Sequence, residues 1–201
     1  MKNQFLRKFS LLFCLASLFC SSAVFAASGA EGFLKTQQDK LTKIIAQPSS
    51  AANDSKLQSA FDALLDYETL SKDSLGSEWA KLTPEQQKKF GGLLKTLVQR
   101  SYTKNIRNTL DYNIHFEGED SAKNGQLVKT VARHKSDKRK EPIHINYVVH
   151  QTNGKWLVTD IVTEGSSLVK NYRSQFRRLI RKKGFDGLME RMQKKVDEGG
   201  V

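Results

Sequence analysis

Few residues in this chain have the types and spacing that chemistry demands. Asp160 and Glu164 are the best placed of the carboxylates, four positions apart at the end of the alternating stretch WLVTDIVTE. Two carboxylates can share acid–base work, but only where their surroundings push their pKa values apart. No histidine or nucleophile stands at a set distance from this pair, and unpartnered carboxylates at a strand end ordinarily cap helices or form ion pairs. His115, His134, His144 and His150 form neither HExxH nor a Cys/His pattern. His144 and His150 share strand parity, yet an extended strand would hold them roughly 20 Å apart. Glu117, Glu119 and Asp120 fall where a turn is expected, as solvated acids. The sequence also lacks a G-x-S-x-G elbow and a glycine-rich phosphate cradle. It reads as a chain with no catalytic centre, no metal site and no cofactor.

Thiol chemistry is removed by the address. In MKNQFLRKFSLLFCLASLFCSSAVFAASGA, Lys2, Arg7 and Lys8 precede an apolar stretch from Leu11 to Phe19. Val24 and Ala26 then occupy the small-residue positions before a cleavage site at Ala27, which completes a secretory signal. Its apolar core is too short for a comfortable membrane span. Bulky Phe13 and Phe19 precede Cys14 and Cys20, against a lipoprotein signal. The expectation is a cleaved signal over residues 1–26 and a single domain over 27–201. Both cysteines leave with the signal, so the mature protein has no disulfide and no thiol nucleophile in an oxidising compartment. Cleavage also removes three of the 33 basic residues and none of the 21 acidic ones, leaving a net charge of +9. A basic exported protein meets anionic surfaces, and the charge says nothing of the fold.

The elements that position these residues follow from periodicity. Phe33, Leu34, Leu41, Ile44 and Ile45 predict a first helix from about Glu31 to Ala46. Leu57, Ala60, Phe61, Leu64 and Leu65 predict a second, with Asp54 or Ser55 as its N-cap. A short helix from Tyr67 to Leu75 follows, ended by Gly76. Thr83, Pro84 and Gln86 spell a capping box, and Phe90, Leu93, Leu94, Leu97, Val98, Tyr102 and Ile106 lie along one side of the long helix it opens. Gly91 and Gly92, in its interior, permit close packing or a bend. The period then changes from 3.6 to 2. Tyr112, Ile114 and Phe116 alternate, followed by strands from Leu127 to His134, Ile143 to Val149 and Trp156 to Thr163. Asn153-Gly154 marks a hairpin turn between the last two. Helices before and after an antiparallel meander make the class α+β.

The chain closes on EGSSLVKNYRSQFRRLIRKKGFDGL, a basic segment with an unbroken apolar beat. Ser166 or Ser167 can cap a helix whose stripe is Leu168, Val169, Tyr172, Phe176, Leu179 and Ile180. Lys170, Arg173, Arg177, Arg178 and Arg181 fall mainly outside it. Gly184 is a helix stop, and Phe185, Leu188, Met189, Met192 and Val196 continue as a last amphipathic helix. Tyr172 and Phe176 belong to the apolar stripe rather than to a base-stacking platform, which argues against nucleic acid. A solvated face, or one that meets anionic lipid, fits better.

Three stretches, LGSEWAKLTPEQQKKF, SYTKNI and GKWLVTDIVTEGSSLVKNYRSQFRRLIRKKGFDGL, resemble the MlaC family of periplasmic phospholipid-binding proteins, also called toluene-tolerance proteins. The pattern W-x-V-x-D-x-x-x-E-G-x-S-x-x-x-x-Y-R-x-Q-F, from Trp156 to Phe176, is the most specific part. The resemblance runs from about Glu31 to Val196. It implies a carrier without catalytic residues, whose cargo is phospholipid. Its partners would be an outer-membrane lipoprotein complex and an inner-membrane ABC transporter, met transiently. The implied fold is a curved antiparallel sheet of about four strands, nuclear-transport-factor-2-like, wrapped by N- and C-terminal helices around an apolar cavity. Strand parity puts Ile143, Ile145, Tyr147 and Val149 on one face, and Trp156, Val158 and Val162 on one face of the neighbouring strand. These, with Tyr102, Ile106, Ser166, Val169, Tyr172 and Phe176, are the expected lipid contacts. Lys170, Arg173 and Arg177 are expected to meet headgroups or partners. Periodicity alone would equally build a solid core, so an exported adaptor with a basic docking face is the second reading. A hydrolase resting on Asp160 and Glu164 is the third.

Overall fold

Helix α1 (Ala30–Ile45) begins a computed structural model that describes residues 29–123 and 125–199. The expected signal peptide, residues 1–26, lies outside the described residues. Helix α2 (Ala51–Leu64) starts earlier than its apolar residues suggest, because Ser50 supplies the cap by accepting from Asn53 N at 3.2 Å. Asp54 and Ser55 lie inside the first turns, so the expected cap is corrected. Asp66 caps α3 (Tyr67–Leu75), which ends at Gly76 with φ 61°. A 3-10 turn, Gly76–Lys81, leads to α4 (Pro84–Ile106). There Gln86 N donates to Thr83 Oγ1 at 3.3 Å and Thr83 N to Gln86 Oε1 at 2.9 Å, the reciprocal capping expected of this sequence. At Gly91 an added Cβ would meet Ser71 Oγ of α3 at 3.5 Å, so this glycine sits where the two helices approach. The helix runs on without a break.

A second 3-10 turn, Arg107–Asp111, joins α4 to the sheet. Strands β1 (Tyr112–Ala122), β2 (Gly125–His134), β3 (Ile143–Thr152) and β4 (Lys155–Thr163) form the expected meander. A two-residue β5 (Ser166–Ser167) extends it to five antiparallel strands in the order β1-β2-β3-β4-β5. The register shifts between Phe116 and Gly118 and again opposite Val148 and Val149. Bulges of this kind bend a strand and increase its twist. The second one has a consequence for side-chain direction. Val149 faces Val158, but Tyr147 faces Ile161 and Asn146 faces Val162. The extra residue, Thr159, moves Val162 to the face opposite Tyr147, which corrects the expectation that Val162 shares a face with Val158.

Helices cover one face of this sheet. Val128, Val149 and Val158 are each 0% exposed and pack in one cluster with Leu57, Leu94 and Leu188 from the helices. His115, Arg133 and His144, on the opposite parity, are exposed. The junction of α2 and α3 is tied to β4 by Asp66 N, which donates to Val158 O at 2.9 Å. Helix α5 (Leu168–Asp197) closes the chain, and Gly184, at φ 70° and ψ 179°, breaks it into two arms. The glycine stop read from the sequence is therefore an elbow.

Candidate functional site

The cleft between α1 and the sheet is built from three apolar stripes. Helical spacing brings Leu34, Leu41 and Ile45 of α1 to one side. Strand alternation brings Tyr112, Ile114 and Phe116 of β1, with Ile145 and Tyr147 of β3, to the other. Ile106 and Leu110 close the end where α4 meets the sheet. The enclosed volume is about 150 Å³. Gln37, Gln38, Thr42, Thr109 and Lys135 are polar members of its lining. Next to Ile145 the β2–β3 ladder is interrupted. Thr130 Oγ1 donates to Ile145 O, and Asn146 Oδ1 accepts from Thr130 N at 3.3 Å, so side chains replace the missing backbone pairs.

Both ends of α1 are held by charged side chains from other elements. Glu119 Oε1 accepts from Glu31 N at 2.7 Å, supplying a carboxylate cap where Gly29 has no side chain to offer. Arg107 Nη1 donates to Ile45 O at 2.6 Å and to Gln47 O at 2.8 Å. An acid at the N-terminus and a guanidinium at the C-terminus both complement the helix dipole. Glu119 is thus a cap rather than the solvated turn residue its position in the sequence suggests. Lys35 Nζ lies 5.1 Å from the centre of the Phe116 ring and pairs with Glu31 at 2.5 Å.

The expected lipid contacts do not fall in one place. Ile106, Ile145 and Tyr147 line the cleft. Burial pushes the Tyr147 phenol up to about 12, so it stays neutral at any physiological pH. Val149 and Val158 are fully buried, and Val169 is 5% exposed; all three are packed core. Ile143 and Trp156 are half-buried on the helix-covered face and outside the cleft lining. Tyr102 packs on Phe61 at 5.9 Å, and burial raises its phenol above the usual range. Tyr172 stacks on Phe176 at 5.3 Å and 12°, and both line a separate groove between α4 and α5. Val162 is on the far face, and Ser166 is exposed on β5.

The strand-to-helix junction uses its polar residues structurally. Ser167, not Ser166, caps α5 by accepting from Lys170 N at 3.0 Å. Its hydroxyl donates to Asp160 Oδ2 at 2.5 Å, while Asp160 Oδ1 accepts from Val169 N at 3.1 Å and Ile161 N at 2.9 Å. Glu164, at φ 48°, accepts from His144 N at 2.5 Å. The two carboxylates considered for acid–base work are therefore engaged with backbone amides. Among the described residues, no group of three His, Cys, Asp or Glu could hold a metal ion. Lys170, Arg173 and Arg177 lie together with Arg178 and Arg181 around a shallow depression on the first arm of α5. Arg173 Nε also donates to Asp73 O at 2.7 Å, tying that arm to α3.

The residues missed by sequence reading are those of α1 and β1. Their periodicity was visible in Leu34, Leu41 and Ile45 and in Tyr112, Ile114 and Phe116, but periodicity does not say which helix lies over which strand. The arrangement defines an α+β scaffold with an apolar cleft between helix and sheet. The MlaC protein family model matches residues 35–194, and the chain belongs to this family. Its fold is shared with the phospholipid-binding protein from Ralstonia solanacearum, solved in complex with a phospholipid. The TM-score is 0.73 at 23% identity, over 85% of this chain and 98% of that one. No curated protein matches the chain.

Proposed function

We propose that this protein is a periplasmic phospholipid carrier that is exported by loss of residues 1–26 and folds as one domain over 27–201. It would shuttle lipid between an outer-membrane lipoprotein complex and an inner-membrane ABC transporter, without catalysing a reaction and without a cofactor. The observation that carries this reading is the apolar cleft between α1 and the sheet in a chain of the MlaC family. The phospholipid held by the Ralstonia protein of the same fold supports the choice of cargo. Among the described residues no helix is long and apolar enough to cross a membrane.

The physical need for such a cleft is large. Acyl chains in water cost about 0.8 kcal/mol per methylene, so two full chains represent well over 20 kcal/mol. A cleft of about 150 Å³ is of the size that admits a benzene-like molecule, much less than two acyl chains. Loading two acyl chains would require this cleft to widen, and movement of α1 away from β1 and β3 is the proposed route. Ile106, Ile145 and Tyr147, with the α1 and β1 stripes, would contact the chains. The polar lining residues Gln38, Thr42, Thr109 and Lys135 would meet the headgroup. Lys170, Arg173 and Arg177 would meet anionic headgroups or acidic partner surfaces, where each cation near an anionic membrane contributes about 1 kcal/mol.

The test is to purify the mature protein without detergent and extract bound lipid. Phospholipid should be present, and Tyr147→Asp, which sets a charge into the cleft, should empty it. Absence of phospholipid together with no uptake from liposomes would rule the carrier out. The adaptor reading draws on the α5 face. It predicts that charge reversal at Arg173 and Arg177 abolishes partner binding in a protein that never holds lipid.

A further inference from the structure

The larger depression of this molecule is not the cleft. A groove of about 850 Å³ lies between α4 and the two arms of α5, in the range typical of small-molecule sites. Its position follows from the elbow at Gly184, which folds residues 185–197 back beside α4 instead of letting the helix run on. Arg100 Nη1 holds the far end by donating to Val196 O at 2.5 Å. Leu97, Phe176, Leu188 and Met192 form a floor in which each residue is at most 8% exposed. Tyr172, stacked on Phe176, and Leu179 are half-buried and extend that floor toward the opening.

The rim is predominantly basic. Arg178, Lys183, Arg191, Lys194 and Lys195 stand around the groove against a single acid, Glu190. Lys194 pairs with Glu198 at 3.6 Å. Arg178, Lys183 and Arg191 have no carboxylate partner among the described residues. Cations that outnumber the acids around one groove repel on balance, and an anion between them relieves that repulsion. An apolar floor under a basic rim therefore complements one kind of ligand, in which an extended hydrocarbon chain carries a negatively charged head.

The geometry points to a second binding site, distinct from the α1–sheet cleft, for a single-chain anionic amphiphile such as a fatty-acid anion or a lysophospholipid. The chain lies along Leu97, Tyr172, Phe176 and Leu179, and the head meets Lys183 and Arg191. The site stands whether or not the cleft carries phospholipid, because it shares no lining residue with it.

The experiment titrates the mature protein with dansyl-labelled undecanoate and with its uncharged methyl ester, in low salt. Wild type should prefer the carboxylate. The K183E/R191E variant changes only exposed residues and should weaken carboxylate binding on the order of tenfold, leaving the ester unchanged. Gln175→Trp, which fills the groove from an exposed position, should weaken both probes. Phospholipid content of the cleft, measured in the same preparations, should be the same in all of them. Equal binding of carboxylate and ester by wild type, or an unchanged ratio in K183E/R191E, overturns the proposal. So does loss of the probe in Ile145→Trp, which would place it in the cleft instead. Unlabelled fatty acid and lysophospholipid as competitors then separate the two sources of the anionic head. Failure of both to compete overturns the stated ligand class.

Discussion

Asp160 joins β4 to α5 by satisfying two amides and a hydroxyl with one carboxylate. Asp160→Ala leaves the Ser167 hydroxyl, in a residue only 5% exposed, without its acceptor, and frees Val169 N in the first turn. Groups stranded in this way cost about 1–3 kcal/mol each, so the variant should lose about 3 kcal/mol in urea unfolding. Ser167→Ala should lose about 1 kcal/mol as an ordinary N-cap, and a loss equal to that of Asp160→Ala would contradict this division. Asp66 gives a pH dependence. Burial alone would raise its carboxyl, but the Thr69 amide and hydroxyl and the neighbouring His150 outweigh this and hold it below its ordinary value of 3.8. A depressed acid contributes stability above its unfolded pKa and loses it as pH falls through the folded value. Stability should therefore drop below about pH 3.8, and Asp66→Asn should flatten that drop while lowering stability at neutral pH. Equal acid slopes in the two proteins would count against it. The sequence named Asp160 and Glu164 as the notable acids, but could not show that their oxygens face amides. It missed Glu119 as a cap because the amide it accepts from, Glu31 N, lies 88 residues away in the chain.

At the scale of elements, α1 is the part that would move if the cleft loads phospholipid. Its contacts with the sheet cover the cleft, and Glu119 and Arg107 hold its two ends. A hydrogen bond to a charged group is worth about 1.5–3 kcal/mol, so Arg107→Ala should raise amide exchange across α1 at least tenfold and speed lipid uptake. Unchanged exchange with unchanged uptake would remove α1 from the loading step. Helix positions were legible because apolar spacing and the Thr83–Gln86 box are local signals. The start of α2 was misplaced because Ser50 precedes its first buried residue, Leu57, by almost two turns. On β4, parity failed at Val162 because Thr159 is an extra residue in the register, and no residue type in that stretch advertises a bulge.

For the whole molecule, the change of period from 3.6 to 2 and back was enough to read helices on an antiparallel meander. What periodicity could not separate was a cavity from a core, since both need the same apolar faces. The structure shows that this chain has both. Val128, Val149 and Val158 fill the middle of the sheet, while Ile114, Phe116, Ile145 and Tyr147 line the cleft beneath α1. The central claim is that this space takes phospholipid acyl chains once α1 moves. It is tested most directly by native mass spectrometry of the mature protein after incubation with liposomes and removal of free lipid. The account predicts a mass increment of bound phospholipid in wild type, lost in Tyr147→Asp and in Ile145→Trp while far-ultraviolet circular dichroism stays the same. A wild-type spectrum showing only the bare chain, or an increment that survives both substitutions, would contradict it.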